Sequence, residues 1–341
     1  MIQFCRYPQI ATLRIYIYLS IIFISIAPPL AYSDQSSQHI SYENDFLNFR
    51  CVDRDGKKIG LKLPYKCSNE DEWYTSGFFY EGRYQTTEND SNHHVGFGLG
   101  QMIFTPADLE NHEIIKNDRP YAGWLYGSYF RETVSKENYE RRELEVGVLG
   151  KYSKAEEFQN LFHRKFYGNS KNNAQGWKHQ IGSEPGLVAV YHFSDLMFRS
   201  NGHKMDLNWL FNGRGGNIFI DAGLGTIVRV SLFNPLFPLF SPYSTPHTVI
   251  FFSLKTDVKI VGYDATFQGG GLDRVFNRGR GSPHHYEYQD IVPIVTTLEG
   301  ALALKSHYGV SLGYSVFLRS KEFVAQSENS RWGRITLTGS F

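Results

Sequence analysis

Alternation of apolar and polar side chains with period two recurs along almost the whole chain, and it constrains the fold more than any other feature. Gly333, Ile335, Leu337, Gly339 and Phe341 share one face of a strand, and Arg334, Thr336, Thr338 and Ser340 share the other. Leu144, Val146 and Val148 alternate with Glu143, Glu145 and Gly147. The same rhythm runs through Val310–Leu318, Ile218–Leu224 and Tyr74–Tyr84. A pattern of this kind excludes a helical fold, because a helix needs apolar residues three and four apart. The 22 Tyr and 26 Phe agree with many strands, since aromatic side chains suit a pleated surface.

Alternation alone fits a soluble sandwich as well as a barrel. The N-terminus favours the barrel. Arg6 and Arg14 precede an apolar run, Ile15 to Ile26, of about twelve residues, the length of a signal-peptide core and too short to span a bilayer as a helix. Ala31 and Ser33 place small residues at alternate positions, as a cleavage site requires. Residues 1–33 are therefore expected to be a signal peptide, with an uncleaved anchor as the alternative, and 34–341 a single outer-membrane domain. The mean hydropathy of −0.36 is compatible with a membrane barrel, in which every second side chain faces a polar lumen. The terminal Phe341 closes an alternating strand and resembles the assembly signal of outer-membrane barrels. With a net charge of +1, nothing in the global field favours a nucleic acid partner.

The reading is all-β: a transmembrane antiparallel β-barrel of about twelve strands, an even number as closed single-chain barrels have. The strands are expected at 38–48, 73–84, 91–104, 121–134, 141–150, 184–194, 204–212, 216–230, 247–260, 288–302, 307–320 and 332–341. Both termini then lie in the periplasm, joined to the next strands by short turns, and 49–72, 105–120 and 151–183 are long external loops. Cys51 and Cys67 fall in the first loop. An oxidising compartment makes a disulfide between them the expectation, with two free thiols as the alternative. The third loop carries one short amphipathic helix, about 154–167. Ser153 and Glu156 form a capping-box pattern, and Ala155, Phe158, Leu161, Phe162 and Phe166 follow at helical spacing. Gly168 is a suitable stop. The helix should rest against the outer rim.

This topology gathers polar residues at that rim: Asn44 and Asp45, Asp71 and Thr75, Asp118 and Arg119, and Gln159 and His163 one helical turn apart. A His beside acidic oxygens suits general-base hydrolysis. Asp and amide oxygens are hard ligands of the kind Ca²⁺ takes. Alternation sends Asn44 and Asp45 to opposite faces, so either a bulge re-aims one of them or one acts through its backbone. It also puts Thr75 on the lumen side.

Several strings sharpen the picture. Tyr42-Glu43-Asn44-Asp45-Phe46 resembles the Glu-Asn-Asp motif that opens the lipid A deacylase family. Asp71-Glu72-Trp73-Tyr74-Thr75-Ser76-Gly77, Gln101-Met102-Ile103-Phe104-Thr105-Pro106 and Asp118-Arg119-Pro120-Tyr121-Ala122-Gly123-Trp124 are similar to further blocks of that family. So are Gln159-Asn160-Leu161-Phe162-His163 with Gly176-Trp177 and Gln180, Ser183-Glu184-Pro185, and Lys321-Glu322-Phe323. The resemblance covers nearly the whole chain after residue 33, with Ser76 and Ser183 standing where the family has Asn. It implies a twelve-stranded barrel in the outer membrane and Ca²⁺-dependent removal of the 3′-acyloxyacyl group from lipid A of lipopolysaccharide, at a site facing the outer leaflet. It further implies catalytic roles for Asn44, Asp45, Thr75 and His163, Ca²⁺ held by Asp45 and Asn44, and His163 as the base that activates water. No Gly-x-Ser-x-Gly nucleophile motif is present, in agreement with direct attack by water. A monomer is expected. The alternatives are a catalytically silent barrel serving as a pore or adhesin, and a phospholipase.

Overall fold

A computed structural model of the chain describes residues 36–48, 51–52, 58–59, 73–86, 93–167, 174–241, 245–272 and 284–341. The expected signal peptide, Gly168 and the pairing of Cys51 with Cys67 lie outside them.

The alternation becomes twelve antiparallel strands closed into a barrel. They are β1 Ser36–Asn44, β2 Trp73–Gln85, β3 His93–Thr105, β4 Ala122–Val134, β5 Asn138–Leu149 and β6 Glu184–Arg199. There follow β7 Met205–Gly216, β8 Phe219–Ser231, β9 Val249–Asp264, β10 Ile294–Lys305, β11 Val310–Arg319 and β12 Ser330–Ser340. Each pairs with its neighbours in sequence, and β1 closes on β12 from Ser37↔Ser340 to Asn44↔Gly333. Closure removes the two open edges that a sheet would otherwise expose. No described helix is long and apolar enough to cross a membrane.

Each expected strand has its counterpart. β6, β7 and β9 run four or five residues past their expected ends, and two other boundaries differ for local reasons. β1 stops at Asn44, because Asp45–Asn48 turn into a 3-10 segment. β10 begins at Ile294 rather than 288, because Tyr288–Asp290 form a 3-10 turn held by a capping box between Glu287 and Asp290.

The two faces of the wall separate cleanly. Along β4, Trp124, Phe130 and Glu132 are buried in the lumen, whereas Gly127, Tyr129 and Arg131 face outward. Exposed apolar side chains cover the outer wall, among them Phe97, Leu99, Leu144, Val146, Leu224 and Leu254. The lumen is filled with paired charge. The Arg141 guanidinium lies 2.8 Å from both Glu81 and Glu143 and 3.7 Å over the Phe130 ring, and Arg83 lies 3.3 Å from Glu132.

At each mouth, described residues outside the strands fold inward. At the end carrying most of the long loops, Arg119 is sandwiched between the rings of Phe104 and Phe267, at 4.1 and 3.6 Å. It donates to Thr266 and faces Glu322. Phe267 belongs to a one-turn helix, α2 (Ala265–Gln268), and packs with Trp73, Tyr286, Ile291 and Phe323. At the other end Ser36 and Phe341 exchange backbone hydrogen bonds. Short turns are found there at 135–137, 200–204 and 306–309, and the long gap that the expected strands left at 231–246 is the connection 232–248. Its described residues, 232–241 and 245–248, fold under the barrel. Arg229 is bound to Asp206 and donates to Phe237 O, Lys305 donates to Ser241 O, and Phe240 meets Tyr139 from β5 at 4.4 Å. Conversely, the link between β7 and β8 at the loop end is only two residues, 217–218.

Candidate functional site

The expected helix forms as α1, Ala155–Tyr167. It lies on the outer wall of the barrel rather than over the mouth. The face of β3 that carries exposed Phe97 and Leu99 continues upward through Gln101, Ile103 and Thr105, all of which are buried. What covers them is the segment leading into α1. Gln101 Nε2 donates to Ser153 O at 2.7 Å, and Ile103 packs with Tyr121, Ala155, Ala174 and Trp177. The capping box does not form, because the Ser153 hydroxyl turns back to Gly150 O at 2.6 Å. Lys154 instead takes a left-handed conformation and offers its carbonyl to Phe158 N.

The stripe on which α1 packs differs from the expected one. Leu161 is 49% exposed, whereas Ala155, Gln159 and His163, at i, i+4 and i+8, are all buried. Polar residues therefore occupy the middle of the helix–wall contact. Gln159 Oε1 accepts from Trp177 Nε1 at 2.9 Å, and Trp177 in turn packs on Tyr121 with ring centroids 4.8 Å apart. Phe162 stacks on Tyr42 of β1 at 5.2 Å. Asn44 is two residues further along that face of β1, about 7 Å along the strand. His163 follows Phe162 and is buried.

The arrangement of Asn44, Asp45 and Thr75 answers the question that alternation raised. Asn44 closes β1 facing outward, and the chain leaves the strand at Asp45, so Asp45 is not bound by the strand's alternation. Both are buried. In β2 the register shifts between Tyr74 and Ser76, which leaves Thr75 as an extra residue. The bulge turns Thr75 to the outer face, correcting the expectation that it faces the lumen. Its hydroxyl is 2.6 Å from that of Thr105, an outward residue of β3, and its carbonyl accepts from Asn44 Nδ2 at 2.9 Å. Tyr74, one position earlier, points the other way and packs on Trp332 and Phe104 in the lumen.

Asn44 and Thr75 are thus joined on the outer face of the wall, Asp45 is buried in the turn that follows, and Gln159 and His163 are buried on the helix that Phe162 links to β1. Asp118 and Arg119 do not join them. Arg119 belongs to the plug in the lumen. Asp118 ties the second loop together, accepting from Trp73 Nε1, Ala107 N and Arg119 N. Burial raises its pKa despite those three donors. Asp71 lies outside the described residues. Of the two positions where the family has Asn, Ser76 is buried opposite Asn44, and Ser183 accepts from Lys151 N at 2.9 Å.

Two contributors had a sequence signal but no assigned role. Gly123 sits in the Asp-Arg-Pro-Tyr-Ala-Gly-Trp string, and a Cβ there would lie 2.1 Å from Ser153 Oγ and 2.4 Å from Ala155 Cβ. The glycine is what lets the helix approach the wall. Trp177 holds Gln159. Replacing Trp177 by Phe is expected to leave the buried Gln159 oxygen without its donor, at a cost of about 1–3 kcal/mol to helix docking. Faster proteolysis of the 150–183 loop in a folded barrel would register it, and an unchanged cleavage rate would refute it.

The family model for the outer membrane protein LpxR matches residues 17–341. Among solved structures, LpxR from Salmonella typhimurium is similar at 19% identity with a TM-score of 0.67, covering 89% of this chain and 99% of that one. The β domain of the Bordetella autotransporter BrkA follows at 7% identity and a TM-score of 0.46, over 90% and 99% of the two chains. An outer membrane channel from Pseudomonas putida F1 has 6% identity and a TM-score of 0.43, over 92% and 100%. No curated protein matches. With a match across nearly all of its length, the chain belongs to the LpxR family of outer membrane proteins.

Proposed function

We propose that the protein is an esterase that hydrolyses the 3′-acyloxyacyl ester of lipid A in the outer leaflet, with His163 as the general base. The observation that carries this reading is the burial of Asn44, Asp45 and Thr75 at the end of β1 and β2 and of Gln159 and His163 on α1, which Phe162 joins to β1 through Tyr42; we read the space between helix and wall as the crevice that takes the substrate. Closing a barrel requires no polar residues there, since apolar side chains would pack the helix on the wall without the desolvation that polar groups bring. The crevice lies on the lipid side of the wall, just above Phe97 and Leu99, so an acylated substrate could reach it without leaving the leaflet. The filled lumen and its two plugs speak against the pore alternative.

In this reading His163 accepts a proton from water as the water attacks the ester carbonyl. Gln159 and Trp177 hold the helix so that the imidazole stays beside β1. Thr75 and Thr105, joined by their hydroxyls, keep the bulge in shape. The donors fit a hard cation by their chemistry: the Asp45 carboxylate, the Asn44 amide oxygen and the Ser76 hydroxyl all offer oxygen. Among the described residues no group of three His, Cys, Asp or Glu side chains is placed to hold a metal. The protein would thus supply one carboxylate and neutral oxygens, with water completing the shell. A Ca²⁺ ion bound there would polarise the carbonyl and stabilise the developing oxyanion.

Mass spectrometry of lipid A from cells with and without the protein tests the reading. Loss of one acyloxyacyl unit is expected. Unchanged lipid A, with free fatty acid released from glycerophospholipid instead, would make the protein a phospholipase. A second expected outcome is that chelation stops acyl release and that Ca²⁺ at millimolar or lower concentration restores it, on the order found for extracellular sites. A rate indifferent to chelator would remove the proposed metal role of Asp45 and Asn44.

A further inference from the structure

The short turn that carries Asp45 is clamped from outside the site. After β1 the 3-10 segment Asp45–Asn48 bends over the neighbouring strands, touching β1, β2, β11 and β12. Leu47 is 1% exposed, and its backbone lies directly on Gly333. A Cβ at that glycine would be 2.5 Å from Leu47 Cβ and 2.6 Å from Leu47 O. On β11 the Tyr314 hydroxyl donates to that same Leu47 carbonyl. Tyr314 is paired with Ile335 of β12, two residues beyond Gly333. Four residues form the floor here: Ile40, Tyr42, Leu47 and Ile335 make one buried cluster, against which Tyr314 and Phe162 pack. Phe162 precedes His163. One small cluster therefore joins the Asp45 turn to the helix that carries the base.

We propose that Tyr314 is a positioning residue for the site: its hydroxyl, with the bare backbone of Gly333 beneath, sets where the Asp45 turn sits relative to α1. The proposal rests on the reading of Asp45 as a site residue. A four-residue turn has little hydrogen bonding of its own. The Leu47 carbonyl therefore needs an outside donor, and a tyrosine on a barrel strand supplies one at a rigidly held point. Because β11 and β12 belong to the closed wall, the turn inherits the rigidity of the barrel, as a site that must be held to a fraction of an ångström requires. Tyr314 itself touches no reacting atom in this account.

The test uses full-length protein refolded into detergent micelles, assayed on purified lipid A. Tyr314→Phe removes only the hydroxyl. About a tenfold fall in kcat is expected, since one hydrogen bond lost near a reacting centre is of that order. KM and the heat-dependent gel shift of the barrel should stay as in the wild type, and the thermal midpoint should fall by no more than a few degrees, as expected for one unsatisfied carbonyl. Gly333→Ala should lower kcat as well by lifting Leu47. The double variant should be less than multiplicative, because both changes act through one residue. A merely structural role would lower the folded fraction and leave kcat per folded molecule unchanged, and that result would overturn the proposal. So would two effects that multiply independently. Asp45→Asn separates the two levels. If it is inactive while Tyr314→Phe is fully active, the clamp is wrong and the site stands. If Asp45→Asn is fully active, the role of Asp45 fails and the clamp with it.

Discussion

His163→Ala is expected to lower the rate of acyl release by a factor of about 10² to 10⁴ while the barrel still assembles. The size follows from the role. A water molecule attacking an ester must lose a proton as it bonds to carbon, and without a placed acceptor that proton must go to solvent. The barrel should survive because its closure depends on strand pairing from Ser36 to Ser340 and not on α1. His163 is nevertheless buried at 6% exposure, so removing the imidazole leaves a gap under the helix. His163→Asn is the paired variant, as it keeps a polar side chain in the gap but cannot act as the base. Equal losses in the two variants assign the effect to proton transfer. Equal gel shift and β-sheet circular dichroism certify the fold. Near wild-type turnover in His163→Asn would mean that another group takes the proton. Gln159→Ala serves as the neighbouring control. It removes the acceptor of the Trp177 indole, one helical turn away, and should weaken docking of α1 more than chemistry.

The barrel was legible because its signal is repeated. Each strand pair restates the same rule, apolar outward and polar or aromatic inward, so an error at one boundary does not spread to the next. The end of β1 shows where that rule loses its grip. Period-two reading carries the strand on to residue 48, but the chain turns at Asp45 because Leu47 finds a place on Gly333, and Gly333 is almost three hundred residues away. Only tertiary contact decides such a turn. The bulge at Thr75 is similar. A single extra residue leaves the composition of β2 unchanged but moves Thr75 from one face of the wall to the other. In α1 the apolar residues were easy to see, yet the buried stripe runs through Gln159 and His163, and the partner of Gln159 is Trp177, a residue of the same loop eighteen positions on. The candidate site residues stood out through their likeness to a known family's motifs, whereas their spacing alone marked only a polar rim. Asp118 and Arg119 show the limit of that cruder reading. Asp118 ties the second loop together, and Arg119 is turned into the lumen.

Gly123→Val should detach α1 from the wall and cost about 10²-fold in activity without opening the barrel. Gly123 faces outward from β4 at the point where the chain descends into the helix. The first atom of any side chain there meets Ser153 Oγ at 2.1 Å and Ala155 Cβ at 2.4 Å. Strand backbone in a closed barrel cannot retreat, so the start of the helix must. Overpacking of this kind typically costs about 1–3 kcal/mol. The strain falls on contacts that hold α1, above all the bond from Gln101 to Ser153 O. The base would then move relative to Asn44 and Asp45, which belong to the wall and its turn. A displacement of about 1 Å at a reacting centre is enough for a loss of about 10²-fold. Gly127 supplies the control, four residues along the same outward face, where an added Cβ has no neighbour nearer than the Gly98 carbonyl at 3.9 Å. Gly127→Val adds apolar surface to the lipid-facing wall and should leave turnover unchanged. The measurements are acyl release per folded molecule and protease cleavage within 150–183, made on both variants together. If Gly123→Val and Gly127→Val behave alike in both assays, close docking of the helix on the wall is not what the reaction depends on.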